Sequence, residues 1–218
     1  MDAVLFDLDG TLVQYRRSPG EVLARSYERV GVDPVFPVEA YYDRYDEFAE
    51  RTSSMSELRR ECFAALAAER GRPPSVGREI AAAFDRERDQ SNAETLPGVR
   101  PTLDTLAERY ALGVVTNGVR DAQLTKLDAT GLDRYFETVV VAGDDCEPKP
   151  AAAPFEMALA ELAAEPTSAV HVGDTPETDV AGGAALGLDT VLVASDSQPA
   201  DATYVISSPE ALRSPPWE

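Results

Sequence analysis

Lysine is nearly missing from this sequence. Only Lys126 and Lys149 occur in 218 residues, and the remaining basic residues, one histidine apart, are arginines. Acidic residues number 39 against 20 lysines and arginines, a net charge of −19. A nucleic acid polymer binds clustered cations that displace its counterions, so this charge balance excludes such a partner. Cysteine is scarce too. Cys62 and Cys146 lie too far apart for a metal-ligand or redox spacing and read as ordinary thiols. No stretch reaches the ~18 consecutive apolar residues that a membrane span requires. The start, Met1-Asp2, lacks the basic-then-apolar pattern of a secretory leader, and the expectation is a cytoplasmic protein.

What is present points to a folded α/β chain. Apolar residues make up 44%, enough for a core. The acids are dispersed rather than gathered in a tail. A dispersed acidic surface with few lysines resembles proteins from salt-loving organisms, where molar salt shortens the Debye length to ~3 Å and screens self-repulsion.

"AVLFD" (3–7) reads as a short buried strand. From about Ser18 to Asp89 only helical periodicity follows. Four helices are expected there: "PGEVLARSYERVG", "PVEAYYDRYDEFAER", "SMSELRRECFAALAAERG", with Ser54 as N-cap, and "SVGREIAAAFDRERD". Strand–helix alternation resumes after the turn-rich "LPGVRP" (96–101), with strands at "ALGVVTN", "TVVVAG", "SAVHVGD", "DTVLVA" and an edge strand at "ATYVIS". Repeated alternation implies right-handed crossovers and a Rossmann-like parallel sheet with helices on both faces. The expected organisation is an α/β core, residues 1–17 and 96–218, interrupted by a four-helix domain, residues 18–95.

In open α/β sheets ligands bind beyond the carboxyl ends of the strands. Four strands here end in "DLDGT" (7–11), "TNG" (116–118), "AGDDCEPKP" (142–150) and "GDTPETD" (173–179). Two carboxylates with one residue between them, Asp7 and Asp9, close the first.

These motifs, in this order and each after a strand, resemble those of the haloacid dehalogenase-like phosphohydrolases. The resemblance covers nearly the whole core, and the helical insertion falls where such enzymes carry a helical cap. It implies Asp7 as a nucleophile forming an aspartyl-phosphate, and Asp9 as the acid that protonates the leaving alcohol and then the base that activates water. The spacing suits this division: residues two apart on an extended chain point the same way, and close carboxylates disfavour each other's ionisation, so one can hold a proton. It implies Mg²⁺ held by the Asp7 side chain, the Asp9 backbone carbonyl and Asp174, with Asp179 orienting a metal-bound water. Thr116, with backbone N–H groups of Asn117 and Gly118, would bind phosphoryl oxygens. Lys149 would offset phosphate charge and hold Asp7, while Gly10 and Thr11 would permit a tight turn and close approach to phosphate. His171 is expected to face the core or an adjacent helix, and Asp144 and Asp145 to lie in a solvated loop.

An acid at Asp9 favours phosphate transfer over dehalogenation, because a halide leaving group needs no proton. The expected activity is hydrolysis of a small phosphorylated metabolite, a nucleoside monophosphate or flavin mononucleotide foremost, by a monomer or weak dimer. Phosphoglycolate or a sugar phosphate is the main competing substrate, and a phosphomutase or a non-catalytic binding protein on this fold is the alternative. A phosphorylatable receiver domain is disfavoured, being about half this length and without an insertion. Arg16, Arg17, Arg51, Arg59 and Arg60 are candidates to meet an anionic substrate.

Overall fold

The computed structural model describes residues 1–49, 51–52, 54–194 and 201–218. The chain divides into two compact units, Met1–Tyr15 with Ala93–Glu218, and Arg16–Asn92.

The first unit is built on six parallel strands: β1 (Ala3–Phe6), β4 (Ala111–Asn117), β5 (Thr138–Ala142), β6 (Ala169–Gly173), β7 (Asp189–Val193) and β8 (Tyr204–Ile206). Their order is β5-β4-β1-β6-β7-β8. Ala3 pairs with both Ala111 and Ala169, and Phe6 with both Val114 and Val172, so β1 runs down the centre. The chain winds outward on one side of β1 through β4 and β5, then crosses to the other side. The carboxyl end of β1 is therefore the switch point where such sheets hold ligands.

Alternation along β1 divides the core between two faces. Val4 and Phe6 join the cluster that contains Leu103 and Leu106 of α6 (Val99–Ala107) and Leu127 of α7 (Arg120–Thr130). Ala3 and Leu5 join the cluster that contains Phe155, Ala158 and Leu159 of α8 (Ala153–Glu161). A short helix, α9 (Ala181–Leu186), follows a π-helical turn at Pro176–Val180. The Rossmann-like parallel sheet expected from strand–helix alternation is thus present.

Two short strands absent from the sequence reading also belong to this unit. β2 (Val13–Tyr15) pairs antiparallel with β3 (Ala93–Thr95), Val13 opposite Thr95. Three-residue strands carry too few alternations to stand out in a sequence, and their pairing spans the whole insertion. The core unit accordingly resumes at Ala93 rather than at residue 96.

The second unit is wholly helical: α1 (Pro19–Val30), α2 (Val38–Tyr42), α3 (Tyr45–Ala49), α4 (Met55–Glu69) and α5 (Pro74–Glu87). A capping box starts α1, with the Ser18 hydroxyl accepting from Glu21 N–H and the Glu21 carboxylate accepting from Ser18 N–H. Ser54 caps α4 by accepting from Glu57 N–H at 3.2 Å. The single helix expected over residues 37–51 is two. The run "YYDRYD" is rich in tyrosine and aspartate, weaker helix formers than alanine or leucine, and it breaks at Asp43–Arg44, where Arg44 N–H reaches back only three residues to Tyr41. Edge-to-face aromatic pairs Tyr27–Phe36, Phe36–Phe63, Tyr41–Phe63 and Phe63–Phe84 form the core of this unit.

Candidate active site

Asp7 follows directly on β1, its N–H donating to Val172 O at 2.8 Å. Its carboxylate is buried, and Oδ1 accepts from Lys149 Nζ at 2.8 Å. The same ammonium donates to Val115 O at 2.8 Å and to Asp179 Oδ1 at 2.6 Å, so its three protons have three acceptors. Burial works against the Lys149 charge, but Asp7 and Asp179 more than restore it and lift the group above its usual range. Lys149 itself is placed by Asn117, whose side-chain Oδ1 accepts from Lys149 N–H at 2.8 Å and whose Nδ2 donates to Lys149 O at 3.2 Å. The Lys149–Pro150 peptide is cis.

Asp174 and Asp179 complete an acidic group with Asp7, each offering an oxygen within 4.8 Å of the others. Burial, opposed by Lys149 and reinforced by Asp179 and Asp174, pushes the Asp7 carboxyl up to about 7. Burial and the charge of Asp179 raise Asp174 as well. One ammonium is too little positive charge for three carboxylates, two of them buried and Asp174 half-buried. The donor set is all hard oxygen, which suits Mg²⁺ or a similar cation, so the residues fit a divalent ion. Backbone shape serves this gathering. Gly10 has φ +85°, and a Cβ there would lie 2.3 Å from Asp174 Oδ2. A Cβ on Gly173 would lie 2.3 Å from Asp179 Cγ. Thr11 Oγ1 donates to Asp174 Oδ1 at 3.4 Å.

Asp179 is more occupied than the sequence suggested. Its Oδ1 takes both Lys149 and His171 Nε2, the latter at 3.1 Å, and its Oδ2 accepts from Thr175 N–H at 3.0 Å. Burial alone would raise its carboxyl, but His171 and Lys149 outweigh burial and hold it below the usual range. His171 is fully buried, stacks edge-on to Phe155 at 4.9 Å, and is pushed below its usual range by burial, so it is neutral at neutral pH. A carboxylate only accepts, so the tautomer carries its proton on Nε2.

β1 ends at Phe6, and Asp9 lies beyond it, bridged to Val13. The charges acting most strongly on Asp7 are Lys149, Asp179 and Asp174. Asp9 is held by Lys126 Nζ, at 2.8 Å from Oδ1 and 2.6 Å from Oδ2, and by Gln123 Nε2 at 3.1 Å from Oδ2. Sequence reading missed both partners. The signal was available for Lys126: it is one of only two lysines, the same rarity that marks Lys149.

Thr116 is the penultimate residue of β4, buried, with Oγ1 accepting from Gln123 Nε2 at 3.1 Å. The expectation that Gly118 N–H faces phosphate is corrected: it donates to Ala142 O at 3.1 Å, because β4 stays hydrogen-bonded to β5 past its own end. Asp144 is exposed, as expected of a solvated loop, and Asp145 is half-buried, but both are hydrogen-bonded. Asp144 Oδ2 accepts from Arg120 N–H at 2.6 Å, and Asp145 receives Arg120 Nε at 3.0 Å and Val141 N–H at 2.8 Å. In the helical unit Arg17 pairs with Glu87, Arg51 with Glu47, Arg59 with Asp85 and Arg60 with Glu61.

Comparison with known proteins places the chain in a family. The family model for haloacid dehalogenase-like hydrolases matches residues 1–187. The chain is 30% identical to a phosphoserine phosphatase of Thermus thermophilus, over 92% of each. It is 31% identical to the pyrophosphatase PpaX of Bacillus velezensis, over 88% of this chain and 82% of that one. Among solved structures it superposes on the magnesium-bound HAD-hydrolase YfnB of Bacillus subtilis with a TM-score of 0.79 at 23% identity, over 97% of this chain and 96% of that one.

Proposed function

The chain belongs to the haloacid dehalogenase-like hydrolases and is a phosphate-ester hydrolase, and on that footing we propose that it is a Mg²⁺-dependent phosphatase that cleaves a small-molecule monoester through an aspartyl-phosphate on Asp7. The observation that carries this reading is Lys149 at 2.8 Å from Asp7, beside the Asp7, Asp174 and Asp179 oxygens, at the switch point of the sheet.

Asp7, Asp174 and the Asp9 carbonyl would hold the cation, which when bound supplies charge neutralisation for the phosphoryl oxygens and keeps Asp7 ionised. The chain's own residues do the rest. An Asp7 oxygen attacks phosphorus while the bond to the leaving oxygen breaks and that oxygen takes a proton from Asp9. Asp9 then takes a proton from water as the water attacks phosphorus, and the bond to Asp7 breaks, returning phosphate and the free carboxylate. Lys149 fixes Asp7 and, with Thr116 and Asn117, meets phosphoryl charge. Asp179 places Lys149. The helical unit, residues 16–92, acts as the cap and carries substrate preference. A cytoplasmic phosphorylated metabolite is the substrate class, with nucleoside monophosphates and flavin mononucleotide the first candidates.

Phosphate release from p-nitrophenyl phosphate with Mg²⁺, lost in Asp7→Asn, tests the activity. Wild-type protein that releases none at any Mg²⁺ or KCl concentration overturns it. A screen of nucleoside monophosphates, flavin mononucleotide, phosphoglycolate, phosphoserine and pyrophosphate identifies the substrate.

A further inference from the structure

Lys126 is the part of this region that the reaction scheme leaves unexplained. Its side chain is 5% exposed. It sits on α7, three residues after Gln123, so both point from one face of the helix. Its ammonium donates to both oxygens of Asp9 and, at 2.8 Å, to Gln123 Oε1, and lies 4.8 Å from the centroid of the Tyr15 ring. Gln123 is buried as well, and its amide N–H groups reach Asp9 Oδ2, Thr116 Oγ1 and Asn117 O. A buried ammonium is expensive to desolvate, and a methionine of similar length would fill the same space at no such cost. Stability is therefore a poor explanation for lysine here.

We propose that Lys126 and Gln123 are positioning residues that clamp the Asp9 carboxyl, fixing one oxygen and presenting the other to the reacting atoms. The proposal rests on the phosphatase reading above. The two oxygens are held unequally. Oδ2 has two donors, Lys126 and Gln123, whereas Oδ1 has Lys126 alone among the hydrogen bonds described. Oδ1 is thus the oxygen that carries the proton to the leaving alkoxide and takes one back from water. Gln123 also joins Asp9 to Thr116, so the acid–base group and a phosphoryl-binding hydroxyl share one rigid support. Holding a reacting group within a fraction of an ångström of its working geometry accounts for a large share of catalytic rate.

The test compares Lys126→Met and Gln123→Leu with wild type on two aryl phosphates, under Mg²⁺. p-Nitrophenolate departs without being protonated, whereas the more basic leaving group of phenyl phosphate needs the proton. Phosphoenzyme formation sets kcat/KM, so kcat/KM for phenyl phosphate falls by about tenfold or more beyond whatever loss p-nitrophenyl phosphate shows. Breakdown of the phosphoenzyme needs Asp9 as base for either substrate, so kcat falls for both and a pre-steady-state burst of p-nitrophenolate emerges. Equal losses of kcat/KM on the two esters, or no loss on either, overturn the clamp, since a merely structural role would not discriminate leaving groups. Should Lys126→Met fail to fold, Gln123→Leu carries the same comparison. Wild-type protein inactive on both esters defeats the phosphatase reading instead, which keeps the two failures apart.

Discussion

Lys149 Nζ and Asp179 Oδ1 stand 2.6 Å apart, both almost wholly buried. The contact ties the loop after β5 to the turn after β6, and it holds in place the ammonium that also meets Asp7. Removing Asp179 leaves the buried ammonium to Asp7 alone, which, raised to about 7, is only partly charged at neutral pH, and a buried charge left under-compensated is costly.

Asp179→Asn is therefore expected to lower unfolding free energy by about 3 kcal/mol at neutral pH, measured by urea titration, and to depress phosphatase activity. The pH dependence has a definite sign. A carboxyl held below its usual range stabilises the fold above pH ~4 and loses that contribution as pH falls toward its folded value. The gap between variant and wild type narrows below pH 4. A gap that is constant from pH 3 to pH 8 contradicts this account.

Asp7→Asn separates catalysis from stability. In metal-free protein Asp7 is raised to about 7 by burial and by its acidic neighbours, so its charge is a strain on the fold. The asparagine variant loses nearly all turnover, to below about one thousandth of wild type. At pH 8 with chelator its melting temperature equals or exceeds that of wild type. A melting temperature several degrees lower there would show that the charged Asp7 contributes to stability rather than opposing it.

Cation binding and pH are linked through the same carboxyl. At pH 5.5 Asp7 is largely protonated and a divalent ion must displace that proton; at pH 8 it is ionised and the cation relieves the repulsion directly. The rise in melting temperature produced by Mg²⁺ grows between pH 5.5 and pH 8. His171, pushed low by burial, adds stability as pH rises through ~6.5, with or without the cation. The difference between the two melting curves isolates the acidic group. Differential scanning fluorimetry at fixed ionic strength measures it, and a shift that shrinks with pH refutes the linkage.

The surplus of 19 negative charges predicts a dependence on salt. Screening weakens self-repulsion among dispersed acids. Melting temperature should rise steadily from low to molar KCl. A flat or falling profile would remove the likeness to proteins of salt-loving organisms.

Much of this molecule is written locally. The strand at residues 111–117 and the motifs at the ends of β1, β4 and β6 follow from apolar runs that stop at polar residues, because burial in a parallel sheet forces that pattern. The tertiary structure decided which charge each aspartate meets. Asp7 and Asp9 have one residue between them, yet one is answered by Lys149 from the loop after β5 and the other by Lys126 from α7. Periodicity reports burial along one element, whereas these partners depend on β4 and β6 flanking β1, strands that lie more than a hundred residues from it in sequence. The β2–β3 pair, the break between α2 and α3 and the engagement of Gly118 N–H by Ala142 were hidden for the same reason: each is fixed by a neighbour or a local strain that sequence spacing does not encode.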